Sequence, residues 1–139
     1  MTRKQHFTLR LNPETVRRLV RLAERSGRPK TGLAEQYLEE GVRMAEHPGI
    51  IFRSGPSGRR PGLAGHRLDV WDVVETVKNE GGDPQAAAAY LGIGHHLVAA
   101  ALDYYADYQD EVDRWIEHNA REAEEAEALW RRRNAALSR

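Results

Sequence analysis

His6-Phe7-Thr8-Leu9-Arg10-Leu11-Asn12-Pro13-Glu14 changes its period midway, and that change decides the fold. Phe7, Leu9 and Leu11 alternate with His6, Thr8 and Arg10, so a strand here has one apolar face and one hydrogen-bonding face. Asn12-Pro13 ends the strand and opens a helix, with Asn12 as N-cap and Pro13 in the first helical position. A strand this short is not stable alone. Its apolar side needs a pairing strand and a cover, while nothing in the sequence covers the polar side.

After Pro13 the period becomes helical. Val16, Leu19, Val20 and Ala23 line one face, Arg17, Arg18, Arg21, Glu24 and Arg25 the other, and Gly27 is the stop. Arg28-Pro29-Lys30-Thr31-Gly32 reads as a turn. A second helix then carries Ala34, Tyr37, Leu38, Val42 and Ala45 to His47-Pro48-Gly49. Strand, helix, turn and helix within residues 1–46 cannot bury these faces as a monomer. Two copies can, by pairing their strands antiparallel and sharing one four-helix core. The polar face of such a two-stranded ribbon fits a DNA major groove.

This order and spacing resemble the ribbon-helix-helix repressors of the Arc, MetJ, CopG and ParD type. The match rests on Phe7-Thr8-Leu9-Arg10-Leu11, Asn12-Pro13-Glu14 and Gly27-Arg28-Pro29-Lys30-Thr31. The resemblance implies base reading by His6, Thr8 and Arg10, with Arg10 able to pair bidentately with guanine. It also implies a phosphate clamp at the start of the second helix, at Lys30, Thr31 and Gly32. The plainer alternative for Arg10 is a solvated residue on an exposed strand, and for His6 a residue that only positions the backbone.

Charge is segregated along a chain of zero net charge. Residues 1–46 hold ten Lys+Arg and six Asp+Glu, and residues 47–69 hold four and one. The sign then reverses: residues 70–109 hold one and six, and residues 110–129 two and eight, before residues 130–139 return four and none. A basic front and an acidic back suggest different partners for the two ends. The chain has no cysteine, hence no disulfide framework and no thiolate-bound zinc. No apolar run is long enough to span a bilayer, and no signal peptide is legible, so a soluble cytoplasmic protein is expected.

Residues 47–69 are rich in Gly and Pro and read as a connector, yet Ile50-Ile51-Phe52 is too apolar for a free tether. A short strand or a clasp onto the following domain is expected. Arg59-Arg60 offers either a second phosphate contact or a solvated basic loop.

Residues 70–109 read as a helical domain. Val70, Trp71, Val73, Val74 and Val77 mark one helix, Asp83-Pro84 opens another, and the turn Gly92-Ile93-Gly94 leads to a third from His95. The Ala88, Gly92 and Val98 spacing suits a helix-turn-helix-like trihelical unit. Its last helix carries no Lys or Arg, which argues against docking on phosphate. His95 and His96 are adjacent and share no helical face, so no metal site or cofactor is expected. No Ser/His/Asp arrangement is legible, and the chain reads as a non-enzyme.

Residues 110–139 read as a long C-terminal helix and basic tail. Val112, Ile116, Asn119, Ala123, Ala126 and Trp130 alternate spacings of four and three, a short coiled-coil-like seam that packs on its own domain, on a copy of itself or in a partner groove. Trp130 beside Arg131, Arg132 and Arg133 is the candidate partner-binding tip, the alternative being a disordered basic tail.

Residues 47–125 are similar to the bacterial family called domain of unknown function 433. The motifs are His47-Pro48-Gly49-Ile50, Gly58-Arg59-Arg60, Ala64-Gly65, Asp69-Val70-Trp71, Ala100-Ala101-Leu102-Asp103-Tyr104-Tyr105 and Asp110-Glu111-Val112-Asp113. Gln109 stands where a proline is common. The resemblance implies an antitoxin of the VapB kind, encoded beside a PIN-like nuclease toxin. The expectation is therefore a mainly α, DNA-binding homodimer, acting as antitoxin and autorepressor and holding its toxin through Trp130, Arg131, Arg132 and Arg133. The alternative is a repressor or partition-type protein whose C-terminal domain serves only oligomerisation.

Overall fold

The computed structural model describes residues 3–139. In chain order it holds α1 (Pro13–Ser26), α2 (Lys30–Glu46), β1 (Ile50–Gly55), β2 (Gly58–Leu63), α3 (Val70–Asn79), α4 (Pro84–Leu91), α5 (His95–Asp107) and α6 (Gln109–Leu137). The protein is mainly helical with one two-stranded antiparallel sheet. Its contacts divide into two units, residues 1–43 and 44–139, with the division falling inside α2.

The first unit begins as the sequence suggests. The Asn12 side chain accepts the Glu14 N–H at 2.9 Å, which caps α1. Gly27 ends α1 in the left-handed region at φ 65°, letting the Arg28 N–H reach the Ala23 carbonyl at 3.1 Å. The turn is shorter than expected: α2 starts at Lys30, and the Leu33 N–H already bonds the Pro29 carbonyl. Residues 3–12 form neither helix nor strand, so the strand expected over residues 6–11 is an extended segment without a ladder in this chain. This unit has almost no interior. Its buried apolar side chains are Ala23 and Leu33, while Phe7, Leu9, Leu11, Leu22, Tyr37 and Leu38 are exposed.

The second unit has a continuous core. The Gly- and Pro-rich stretch carries the short strand expected at Ile50-Ile51-Phe52 and continues into a full β-hairpin, in register Ile50↔Leu63, Phe52↔Pro61 and Gly55↔Gly58. Its glycines serve the tight turn at Pro56-Ser57, where Gly58 has φ 116°. Pro61 is tolerated because β1 is the one strand that pairs with β2, whose other edge carries only the isolated bridge from Gly62 to Asp69. Ile50 and Leu63 enter the same buried cluster as Val70, Val74, Val98 and Tyr104, which is why composition alone misreads the segment. The helices α3, α4 and α5 pack on one another, with Gly92 at φ 67° in the turn between α4 and α5. The chain breaks at Tyr108 (φ −131°, ψ 44°), and α6 starts at Gln109 without a proline. Residues 130–137 continue α6 and are not a disordered tail.

Candidate functional site

Three regions carry the side chains expected to function. The first is the amino-terminal unit. The Thr8 hydroxyl lies 2.9 Å from His6 Nε2, so these two side chains share one side of the extended segment. Arg10 is exposed and has no hydrogen bond or ion pair among the described residues. On the other side, Leu9 and Leu11 border an apolar groove of about 340 Å³ with Leu19, Leu22, Tyr37 and Leu38. Phe7 lies outside this groove, 77 % exposed. Lys30, Thr31 and Gly32 form the first turn of α2, so their N–H groups have no acceptor one turn back in the helix. Pro29 precedes the helix, so its missing N–H removes none of these donors.

The second region is a clasp between the hairpin and α3. Asp69, 6 % exposed, precedes α3. Its Oδ2 accepts from Arg60 Nε at 2.5 Å and Trp71 Nε1 at 3.3 Å. Arg53 Nε lies 3.7 Å from Asp69 Oδ1, and neither buried atom has a hydrogen-bond partner, so they compensate each other by charge alone. The Arg53 guanidinium donates to the carbonyls of His66 at 2.6 Å, Leu68 at 2.8 Å and Leu63 at 3.2 Å. The Asp69 N–H donates to Asp72 Oδ2 at 2.9 Å. Burial pushes the Asp72 carboxyl above the usual carboxylate range, and that N–H draws it partly back. Arg60 is therefore committed to Asp69. Arg59 is committed too, its guanidinium donating to Ser54 Oγ at 2.9 Å.

The clasp explains one glycine. A Cβ on Gly62 would sit 2.2 Å from the Arg53 guanidinium. That guanidinium is held by three carbonyls and cannot simply swing away. Gly62→Ala is expected to cost about 1.5–3 kcal/mol, the value of a hydrogen bond that involves a charged group. Urea denaturation should show it, and a loss under about 0.5 kcal/mol would mean that Arg53 relocates freely.

The third region is α6. Tyr104, fully buried, donates its hydroxyl to Glu111 Oε2 at 3.0 Å, and Tyr105 donates to Asp113 Oδ1 at 2.8 Å, tying α5 to the start of α6. Val112 is buried and Ile116 packs against the core, so the first half of the seam is spent on its own domain. From Arg121 to Arg133 every residue is exposed. Trp130 is 58 % exposed, and Arg131 pairs with Glu127 at 2.5 Å on the same helix.

Two histidine clusters escaped the sequence. Ser57 Oγ lies 3.0 Å from His118 Nε2, and Glu122 Oε1 lies 3.1 Å from the same nitrogen. A nucleophile relay needs the carboxylate on the other ring nitrogen, so this is not that geometry. His47, at the end of α2, is buried, and its Nε2 meets Asp107 Oδ2 at 2.8 Å. Glu46, His47 and Asp107 offer ligand atoms within 4.8 Å of one another, the one group among the described residues that could hold a metal ion. The His95–His96 pair does not take part. Only the turn chemistry of His47-Pro48 was visible in the sequence, because its partner is remote in the chain.

No family model matches the chain, and no curated protein matches it. A similar solved structure is that of a DUF433 member protein from Anabaena variabilis ATCC 29413. It is 26 % identical, covers 77 % of this chain and 99 % of that one, and has a TM-score of 0.43. No helix among the described residues is long and apolar enough to cross a membrane.

Proposed function

We propose that this chain is a DNA-binding antitoxin and autorepressor of a type II toxin–antitoxin pair. Two copies pair their residues 6–11 into an antiparallel ribbon. His6, Thr8 and Arg10 then face the major groove, and the first turns of the two α2 helices, at Lys30, Thr31 and Gly32, grip phosphates. The carboxy-terminal half holds a PIN-like nuclease through α6. Trp130 anchors the contact, and one of Arg131, Arg132 and Arg133 pairs with the carboxylates that line the nuclease's metal site.

The observation that carries this reading is the uncovered groove. A unit of 43 residues that buries two apolar side chains and exposes six large ones along one groove and the extended segment beside it is an incomplete fold. An extended segment with an unpaired backbone and apolar residues on alternate positions is what an identical segment would complete. For the nuclease contact, the support is an exposed helix end with a large anchor and a cationic cluster.

The test is binding of the full chain to the duplex upstream of its own gene, across a salt series, beside Arg10→Ala. The wild type should prefer that duplex to random DNA, and Arg10→Ala should lose about 1–3 kcal/mol of the preference. Equal affinity for both duplexes, or an Arg10→Ala chain that discriminates as well as the wild type, would overturn base reading. The toxin arm is read separately, by inhibition of a nuclease encoded beside the gene.

A further inference from the structure

We propose that Glu46, His47 and Asp107 form a binding site for one divalent first-row transition ion, such as zinc. This goes beyond the reading above and depends neither on DNA nor on a toxin.

All three residues belong to the second unit. Glu46 is the last residue of α2 and His47 the first beyond it. Two neighbours inside a helix do not share a face, but here the helix stops between them and their ligand atoms converge. Asp107 closes α5, sixty positions further on.

The imidazole is fixed in place by the fold. His47 is 8 % exposed, and its ring meets Tyr104 at 5.3 Å and Tyr108 at 6.1 Å, edge to face. Its carbonyl accepts the N–H of Ile50, a core residue, at 3.1 Å. The ring is thereby aimed, through Nε2, at Asp107 Oδ2, 2.8 Å away. Both carboxylates belong to exposed residues, which gives an ion its path in.

Charge selects a divalent cation. Glu46 has no hydrogen bond or ion pair among the described residues, and the carboxylate of Asp107 meets His47 alone. A protonated imidazole would still leave one negative charge over. The chain end of α5 adds to it, since the last turn of that helix holds no basic residue to offset its dipole. Two carboxylates, a neutral imidazole and one doubly charged ion sum to zero.

Donor type and spacing select the kind of ion. An imidazole beside carboxylates suits zinc and its first-row neighbours, whereas magnesium and calcium take oxygen throughout. The three ligand atoms lie within 4.8 Å of one another. Two atoms each about 2.1 Å from one zinc ion stand about 3.4 Å apart in a tetrahedron. His47 and Asp107 then part by about 0.6 Å and Glu46 closes by at most about 1.4 Å, a movement of exposed carboxylate side chains. The ring ligates through Nε2 and carries its proton on Nδ1, and water fills the remaining position.

The test is calorimetric titration of the chelator-treated full chain with zinc. One ion should bind per chain, and magnesium should not compete. A residue that merely orients a ligand is worth about 10–100-fold in metal affinity. Losing a ligand, in Glu46→Gln or Asp107→Asn, should therefore weaken zinc binding at least about a hundredfold. Both side chains are exposed, so circular dichroism should match the wild type. His118→Gln, which breaks the other histidine–carboxylate contact, should bind zinc as the wild type does. Substoichiometric manganese should broaden the amide signals of residues 46–48 and 106–108 before those of the acidic stretch 110–129. No zinc binding, wild-type affinity in either ligand variant, a comparable loss in His118→Gln, or broadening that begins elsewhere overturns the proposal.

Discussion

Asp69→Ala is expected to remove about 3 kcal/mol from the stability of residues 44–139. This is the low end of the cost of breaking a buried ion pair by deleting one partner. The low end applies because the Arg53 and Arg60 side chains keep 24 % and 29 % of their surface exposed, so water relieves part of the loss. The loss has several parts. Arg60 loses the carboxylate it donates to, Trp71 Nε1 loses its acceptor, and Arg53 Nε keeps no compensating charge. A domain of ordinary size has about 5–15 kcal/mol in all, so this one change takes a large share. Urea denaturation followed at 222 nm measures it. Trp71 fluorescence is a poor substitute, because that indole touches the deleted group. Asp69→Asn should cost less, since an amide oxygen still accepts one hydrogen bond. If Asp69→Ala costs under about 1 kcal/mol, solvent satisfies both guanidiniums and the clasp is not structural.

The clasp also shows where sequence reading stops. The periodic elements were legible: the Asn12-Pro13 and Asp83-Pro84 helix starts, the Gly27 and Gly92 stops, and the helical phase of Val70, Val73, Val74 and Val77 all lie within a turn or two of the residues that determine them. The hairpin was half legible. Ile50-Ile51-Phe52 declared itself too apolar for a tether, but β2 reads Gly-Arg-Arg-Pro-Gly-Leu, which has no strand propensity. What makes it a strand is tertiary: Leu63 in the core and Arg60 on Asp69, nine residues on. The His47–Asp107 contact spans sixty positions and the Ser57–His118 contact sixty-one, separations at which no periodicity in one sequence carries a signal. The sides of residues 6–11 were legible in part. Alternation puts His6 with Thr8 and Leu9 with Leu11, and the extended segment keeps both pairings, but no strand forms and Phe7 lies outside the groove.

Leu9→Asp is expected to abolish duplex binding although it touches none of the side chains proposed to face DNA. Leu9 lies on the opposite side of the segment from His6, Thr8 and Arg10, at the rim of the groove it shares with Leu11, Leu19 and Leu38. It is 46 % exposed in a single chain, and pairing with a second copy would bury the remainder. An aspartate there would bring an unpaired carboxylate into an apolar core, once from each copy. Each costs several kcal/mol, and the two repel. The ribbon then does not form, and the three residues proposed to read bases are left on an unpaired segment. Affinity for the upstream duplex should fall at least about a hundredfold, with the residual binding independent of sequence. Leu9→Met, which conserves volume and apolarity, should bind within about tenfold of the wild type. Mass in solution is the wrong readout by itself, because it does not say which residues hold two chains together. Amide hydrogen exchange of residues 3–43 separates the cases: Leu9→Asp should lose protection in α1 and α2 while α3 to α5 keep theirs. A Leu9→Asp chain that still binds its duplex would mean that the groove is not a dimer core and that residues 6–11 meet DNA, if at all, as single strands. Arg10 and Leu9 thus test different things. Arg10→Ala asks whether the ribbon reads bases, and Leu9→Asp asks whether there is a ribbon.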